Sequence, residues 1–301
     1  MFADDTFCLN SGTDLNALIT TVNIEINKIA VWFRANKLAV NINKTKYMIF
    51  HMRGKKLDNI TQNIVYDENE PNTPNDISLI TPLERYHNNH QNKEGKAYKL
   101  LGIYLDEHLS LDAHTNHIVN KLTKSLYCIR QAKHIIPHAG MKSLYFALIH
   151  SHLTYCTSIM SLLSANNKNR ILKIQKKAIR IMSNSSYNAH TGPIFKAHNI
   201  LPFDFLITQS QLTFMHSIAH NYAPPSFDST WTTNAIREPN LNLRNANEFY
   251  LPLPRTEAFK KSTIYALPAA WNDLTPFISL QPNKITFKWA LKAHLLEQLN
   301  I

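Results

Sequence analysis

Near the start of the chain two carboxylates stand side by side, Asp4 and Asp5, directly after Phe2 and Ala3. Adjacent carboxylates on a tight turn between strands repel one another, and a divalent cation held by both relieves the repulsion and depresses both pKa values. Mg²⁺ suits such a pair, because it prefers carboxylate oxygens and keeps other positions for water and substrate phosphates. Two such ions can clamp the attacking and leaving oxygens of a phosphoryl transfer. Alone, an acidic doublet is more often a solvated turn or a helix N-terminus, so its meaning depends on what surrounds it.

A second set is cationic. Arg170, Lys173, Lys177 and Arg180 recur at helical spacing. They are offset by one residue, about 100° around the axis, from an apolar stripe of Ile171, Ile174, Ala178 and Ile181. Such a row fits a line of phosphates, although most charged stripes are solvated faces. Lys121, Lys124, Arg130 and Lys133 on the preceding helix are secondary candidates. The pairs His87/His90, His114/His117, His134/His138 and His150/His152 lack a Cys or carboxylate that would complete a zinc site. Cys8, Cys128 and Cys156 form no CxxC, which fits free thiols in a reducing compartment. Cys8 and the tryptophans Trp32, Trp231, Trp271 and Trp289 read as packed residues. No GxSxG, HExxH or P-loop pattern is present, and six glycines in 301 residues disfavour glycine-rich phosphate loops.

The chain carries 32 Lys+Arg against 21 Asp+Glu, a net charge of +11. That surplus points to a polyanionic partner. It is concentrated: residues 99–190 hold twelve basic and three acidic groups, whereas residues 57–98 hold three and seven. The uncharged stretch from Ser143 to Asn167 is about long enough to span a bilayer. His150, Ser151, His152, Thr154, Thr157 and Ser158 interrupt it, so a single buried helix and no membrane partner are predicted.

The elements that must position these groups follow from periodicity. Thr13 or Asp14 caps a helix whose buried face is Leu15, Leu18, Ile19, Val22, Ile26, Ile29 and Phe33, ending near Asn36. Leu38, Val40 and Ile42 alternate with polar residues as a strand; a turn at Asn43-Lys44-Thr45 and a returning strand over 46–51 follow. Residues 52–98 read as a long loop with weak strands near Ile64–Tyr66 and Ile77–Ile80. Lys99–Leu105 reads as one apolar strand. Three helices are predicted over 112–183, the first with Ile118, Leu122, Leu126 and Ile129 inward and the third over 167–182. Further helices are expected at 203–222 and 284–299.

In this order, FADDT, a helix, WFRANKLAVNINKTKYMIF and KLLGIYLD resemble the reverse transcriptase of non-LTR retrotransposons, the jockey-like group in particular. KSLYFALIHSHLTYC looks like the thumb region of that family, and AFKKSTIYALPAAWNDLTPFI resembles a recurrent C-terminal stretch of its polyproteins. The resemblance implies an α+β fold: a partial palm over 1–110, with a small antiparallel sheet and one helix, a helical thumb over 111–190, and a mainly helical region over 191–301. It implies an RNA template and DNA primer as partners, Mg²⁺ as cofactor, and a site of action in nucleus or cytoplasm. Asp4 and Asp5 match the metal-binding pair, and Phe2 matches the aromatic near the primer terminus. Lys44 matches the lysine of the NKTK segment, placed to neutralise or protonate departing pyrophosphate. Leu101, Gly102 and Ile103 match the primer grip. Arg170, Lys173, Lys177 and Arg180 fall on a thumb helix, where phosphates rather than base edges are contacted.

One departure bears on activity. The other metal-binding aspartate of the family, the fingers and the nucleotide-holding residues lie upstream of FADD, and this chain starts at Met1. An aspartate pair lacking the third ligand is expected to bind Mg²⁺ weakly, so the polypeptide alone is expected not to polymerise. Primer extension by purified protein checks this; extension that disappears in Asp4→Asn would overturn it. The alternative is a non-catalytic nucleic-acid-binding remnant that uses the basic thumb helix.

Overall fold

Asp14 sets the start of α1 (Leu15–Ala35): its carboxylate accepts from the Ala17 N–H at 2.7 Å, as an N-cap should. This geometry comes from a computed structural model, which describes residues 6–54, 57, 63–67, 77–82, 97–227 and 230–300. Two compact units result, 1–109 and 110–301. Both helices and strands are present, with helix dominant, so the α+β class holds.

In the first unit, α1 packs through Ile19 and Ala30 on Ile64, Tyr66 and Ile80. Asn23 on α1 pins the neighbouring strand from both sides: its amide donates to Asn63 O at 3.0 Å and its oxygen accepts from Val65 N at 3.1 Å. The sheet differs from the single antiparallel one expected. The strands β1 (Lys46–Tyr47), β2 (Val65–Asp67), β3 (Ile77–Leu79), β4 (Thr81–Pro82), β5 (Ala97–Leu100) and β6 (Ile103–Asp106) form three two-stranded ladders. β1–β4 is parallel, while β2–β3 and β5–β6 are antiparallel.

The strand predicted over 38–42 does not form. The chain leaves α1 through a turn with Lys37 at φ 56° and a Leu38 N–H bond to Phe33 O, the pattern of a Schellman cap. It then turns again at Asn41, whose carbonyl accepts from both Lys44 N and Thr45 N. Too few residues remain between the two turns for a ladder, yet Val40 and Ile42 still pack on the core. The single strand read over 99–105 is instead a hairpin. Leu101 and Gly102, at φ 46° and 87°, form its two-residue loop, the positive-φ pair that matches strand twist.

The second unit is helical. α2 (Asp112–Ala132) buries Ile118, Leu122, Leu126 and Ile129, the predicted face. The uncharged stretch is not one helix. It breaks into α3 (His138–Tyr145), a π-helical turn (Phe146–His150), α4 (Ser151–Thr154) and a 3₁₀ turn (Thr157–Leu162). The hydroxyls of Ser151, Thr154 and Thr157 bond to carbonyls one turn back, which competes with the regular helical ladder. Among the described residues no helix is long and apolar enough to cross a membrane.

α5 (Ala165–Met182) packs on α2 and α3, and also on α6 (Thr191–Ala197) and α7 (Phe203–Ala219). The short α8 (Asn234–Arg237) and α9 (Glu257–Lys260) lead to α10 (Thr263–Asn272), α11 (Pro276–Ser279) and α12 (Lys284–Glu297). α7 is covered by α10 and α12. Within the motif around Trp271-Asn272, Asn272 clamps the Phe249 backbone with bonds of 3.0 and 2.8 Å. Trp271 stacks on Phe287 at 5.7 Å. Trp231 and Trp271 are buried as expected; Trp32 and Trp289 are not, because each lies on the outer face of its helix. Cys8 is also exposed, in irregular chain rather than a strand.

His114 on α2 is 2% exposed. Burial, reinforced by His117 and Lys121 on the same helix, holds its pKa down to about 4. Unfolded histidine titrates near 6.5. Between those values the unfolded chain binds a proton that the folded chain refuses, so stability falls as pH drops from about 6.5 to 4. The contribution is about 3 kcal/mol, and it is absent above pH 7. Urea unfolding at pH 7.5 and pH 4.5 measures the loss. His114→Gln should reduce that loss; an unchanged pH dependence would discard the assignment.

Candidate nucleic-acid interface

α2 and α5 lie side by side and run in the same direction. At their N-terminal ends Asn167 donates to Asp112 at 2.6 Å, and the Arg170 guanidinium donates to Asn116 at 2.9 Å and to Asn167 at 3.3 Å. At their C-terminal ends Arg130 of α2 and its C-cap residue Lys133 face Lys177 and Arg180 of α5 across a cleft of about 230 Å³, which His134, Ser185 and Tyr187 also line. A single water occupies about 30 Å³ of liquid, so the cleft suits a polar ligand rather than one solvent molecule.

The electrostatics of this cleft are one-sided. Among the described residues, no carboxylate lines it. The one acidic residue between positions 110 and 190 is Asp112, at the opposite end of α2. Residues 110–301 hold 20 basic and 8 acidic groups, against 12 and 13 in residues 1–109, so the charge surplus belongs to the helical unit. Both helices point their C-termini, with partial negative charge, at the four cations. That offsets part of their mutual repulsion and lets them converge; a bound anion would relieve the remainder. Lys133, Lys177 and Arg130 are exposed. Arg180 is half-buried, and its Nε donates to Ala189 O at 2.9 Å, which fixes the guanidinium at the cleft wall. Tyr187 is 74% exposed, an open aromatic face beside the cations.

The predicted basic row therefore divides. Lys177 and Arg180 reach the cleft, Lys173 is exposed on α5, and Arg170 is committed to the α2–α5 pairing. Arg130 and Lys133, secondary on sequence, are full members. The missing signal was the direction of α2 relative to α5, which helical spacing does not contain. Lys44 is exposed in the turn after α1, and Leu101-Gly102 is the β5–β6 loop with Ile103 buried beside it. Phe2, Asp4 and Asp5 lie outside the described residues. Among the described residues, the group able to hold a metal is His51, Glu107 and His108, which none of the histidine pairs anticipated. No protein-family model, curated protein or solved structure matches this chain.

Proposed function

We propose that residues 110–301 bind the sugar–phosphate backbone of a nucleic-acid duplex at the α2–α5 cleft. In this reading the chain is the C-terminal part of a non-LTR reverse transcriptase, with residues 111–190 as its thumb. The observation that carries the binding role is the convergence of Arg130, Lys133, Lys177 and Arg180 on one cleft that, among the described residues, no carboxylate lines. The polymerase assignment rests on the ordered resemblance of FADDT, NKLAVNINKTK, KLLGIYLD and the later segments. With it come Asp4 and Asp5 as Mg²⁺ ligands, Lys44 at the pyrophosphate and Leu101-Gly102-Ile103 at the primer, on an RNA template.

Phosphate contacts release counterions, so log K should fall linearly with log salt, by about 0.9 per phosphate on B-DNA. Four engaged cations predict a slope near −3.6. Fluorescence anisotropy with a labelled 20-base-pair RNA–DNA hybrid between 50 and 300 mM NaCl measures it. A slope near zero overturns the proposal. Because none of the cleft residues belongs to the acidic dyad, the same observation also favours a binding role without catalysis. Primer extension separates the two readings.

A further inference from the structure

We propose that His51, Glu107 and His108 form a site for a transition-metal dication, with Zn²⁺ as its occupant. The backbone builds the site. His51 N–H donates to Glu107 O at 3.0 Å, which sets residue 51 beside the turn that follows β6. That turn is held by His108 N–H donating to Asp106 Oδ1 at 3.1 Å. One donor atom from each of the three side chains then lies within 4.8 Å of the others.

In each imidazole one ring nitrogen is held by a backbone carbonyl. His108 Nδ1 lies 3.1 Å from His51 O, and His51 Nδ1 lies 3.1 Å from Met52 O. A carbonyl oxygen only accepts, so in each ring Nδ1 carries the hydrogen and Nε2 presents its lone pair. Locking one ring nitrogen on a carbonyl while the other ligates is the usual outer support of metal-bound histidine. The rings meet edge to face with centroids 4.7 Å apart. Glu107 Oε1 is 3.8 Å from His108 Nε2. A tetrahedral zinc with bonds near 2.1 Å needs donors about 3.4 Å apart, so shifts well under the length of a side chain close the set.

The donor chemistry selects the ion. Two imidazoles and one carboxylate suit Zn²⁺, whereas Mg²⁺ and Ca²⁺ favour all-oxygen sites. The side chains of His108 and Glu107 are 28% and 27% exposed, so an ion can enter from solvent yet is partly enclosed. Three protein ligands leave a fourth position for water. Bound metal would close the chain between positions 51 and 107, and loop closure on that scale stabilises the fold that holds it. The inference is independent of the nucleic-acid reading, which concerns the other unit.

The test is zinc competition between the full chain and a chromophoric chelator at pH 7.5, with Co²⁺ absorption reporting coordination. One equivalent should bind with a Kd of about 1 µM or tighter. His51→Ala with His108→Ala should weaken that binding at least about 100-fold, and the near-isosteric Glu107→Gln about 10-fold, with Mg²⁺ at millimolar concentration failing to displace zinc. Circular dichroism establishes that each variant keeps its fold, and the Glu107→Gln result stands if the double variant unfolds. Zinc affinity unchanged in both variants, or no binding at micromolar zinc by the wild-type chain, overturns the proposal.

Discussion

Replacing Gln175 with alanine is expected to lower the unfolding free energy of the helical unit by about 4 kcal/mol. This side chain is fully buried on α5. Its amide donates to Tyr145 Oη at 3.0 Å and to Leu201 O at 2.9 Å, and its oxygen accepts from Phe203 N at 2.8 Å. Phe203 opens α7, and Pro202 before it offers no side-chain cap, so Gln175 supplies from α5 a partner that the helix start lacks locally. Truncation leaves a hydroxyl, a carbonyl and an N–H without partners in a space closed to water. Each buried orphan costs about 1–3 kcal/mol, and the cavity adds to it. For a unit of this size 1 kcal/mol moves Tm by about 2–4 °C, so a drop of about 10 °C is expected in thermal unfolding followed by circular dichroism. Gln175→Leu restores volume without polar groups and should remain destabilised by about 3 kcal/mol. A Gln175→Leu protein as stable as the wild type would discard the network account. Tyr145 belongs to the same cluster: burial pushes its pKa far above the ordinary tyrosine value, against the opposing bond from Gln175, so it stays neutral.

Reversing two cleft charges, Lys133→Glu with Lys177→Glu, is expected to weaken hybrid binding by about 50-fold at 100 mM salt and to reduce the magnitude of the salt slope by about 2. Both side chains are exposed on helix surfaces, so stability should move by no more than about 0.5 kcal/mol. The informative control is Arg170→Gln. Arg170 belongs to the same sequence stripe as Lys177, but its guanidinium is held by Asn116 and Asn167. The substitution should weaken the α2–α5 pairing, lower Tm, and change binding by less than about twofold. Equal losses from Arg170→Gln and from the double reversal would mean that the stripe, not the cleft, contacts phosphate.

These contrasts show where sequence reasoning stops. The buried face of α2 and the start of α1 at Thr13 or Asp14 were both legible, because each depends on residues within four positions along one helix. The α5 stripe was legible only approximately. Its buried face runs through Asn167, Ile171, Gln175, Ala178, Ile179 and Met182, while Ile174 and Ile181 stay half-buried. Hydrophobicity excluded Gln175 from that face, although its partners at Tyr145, Leu201 and Phe203 satisfy every polar group it buries. The break in the uncharged stretch was hidden for a related reason: absence of charge reports burial, not regularity, and three hydroxyls there take backbone carbonyls for themselves.

Taken by itself, the amino-acid order determined the helices α1, α2, α5, α7 and α12, the apolar face of α2, and where the cationic surplus lies. Tertiary structure alone decided that α2 and α5 run in the same direction, that Arg130 and Lys133 join Lys177 and Arg180 while Arg170 does not, and that His51 meets Glu107 and His108. The physical reason is range. Helical periodicity and capping come from contacts one turn apart, which any window of the chain contains. Convergence of charges or ligands depends on which buried face meets which, and in what direction, and those are set only when the whole core closes.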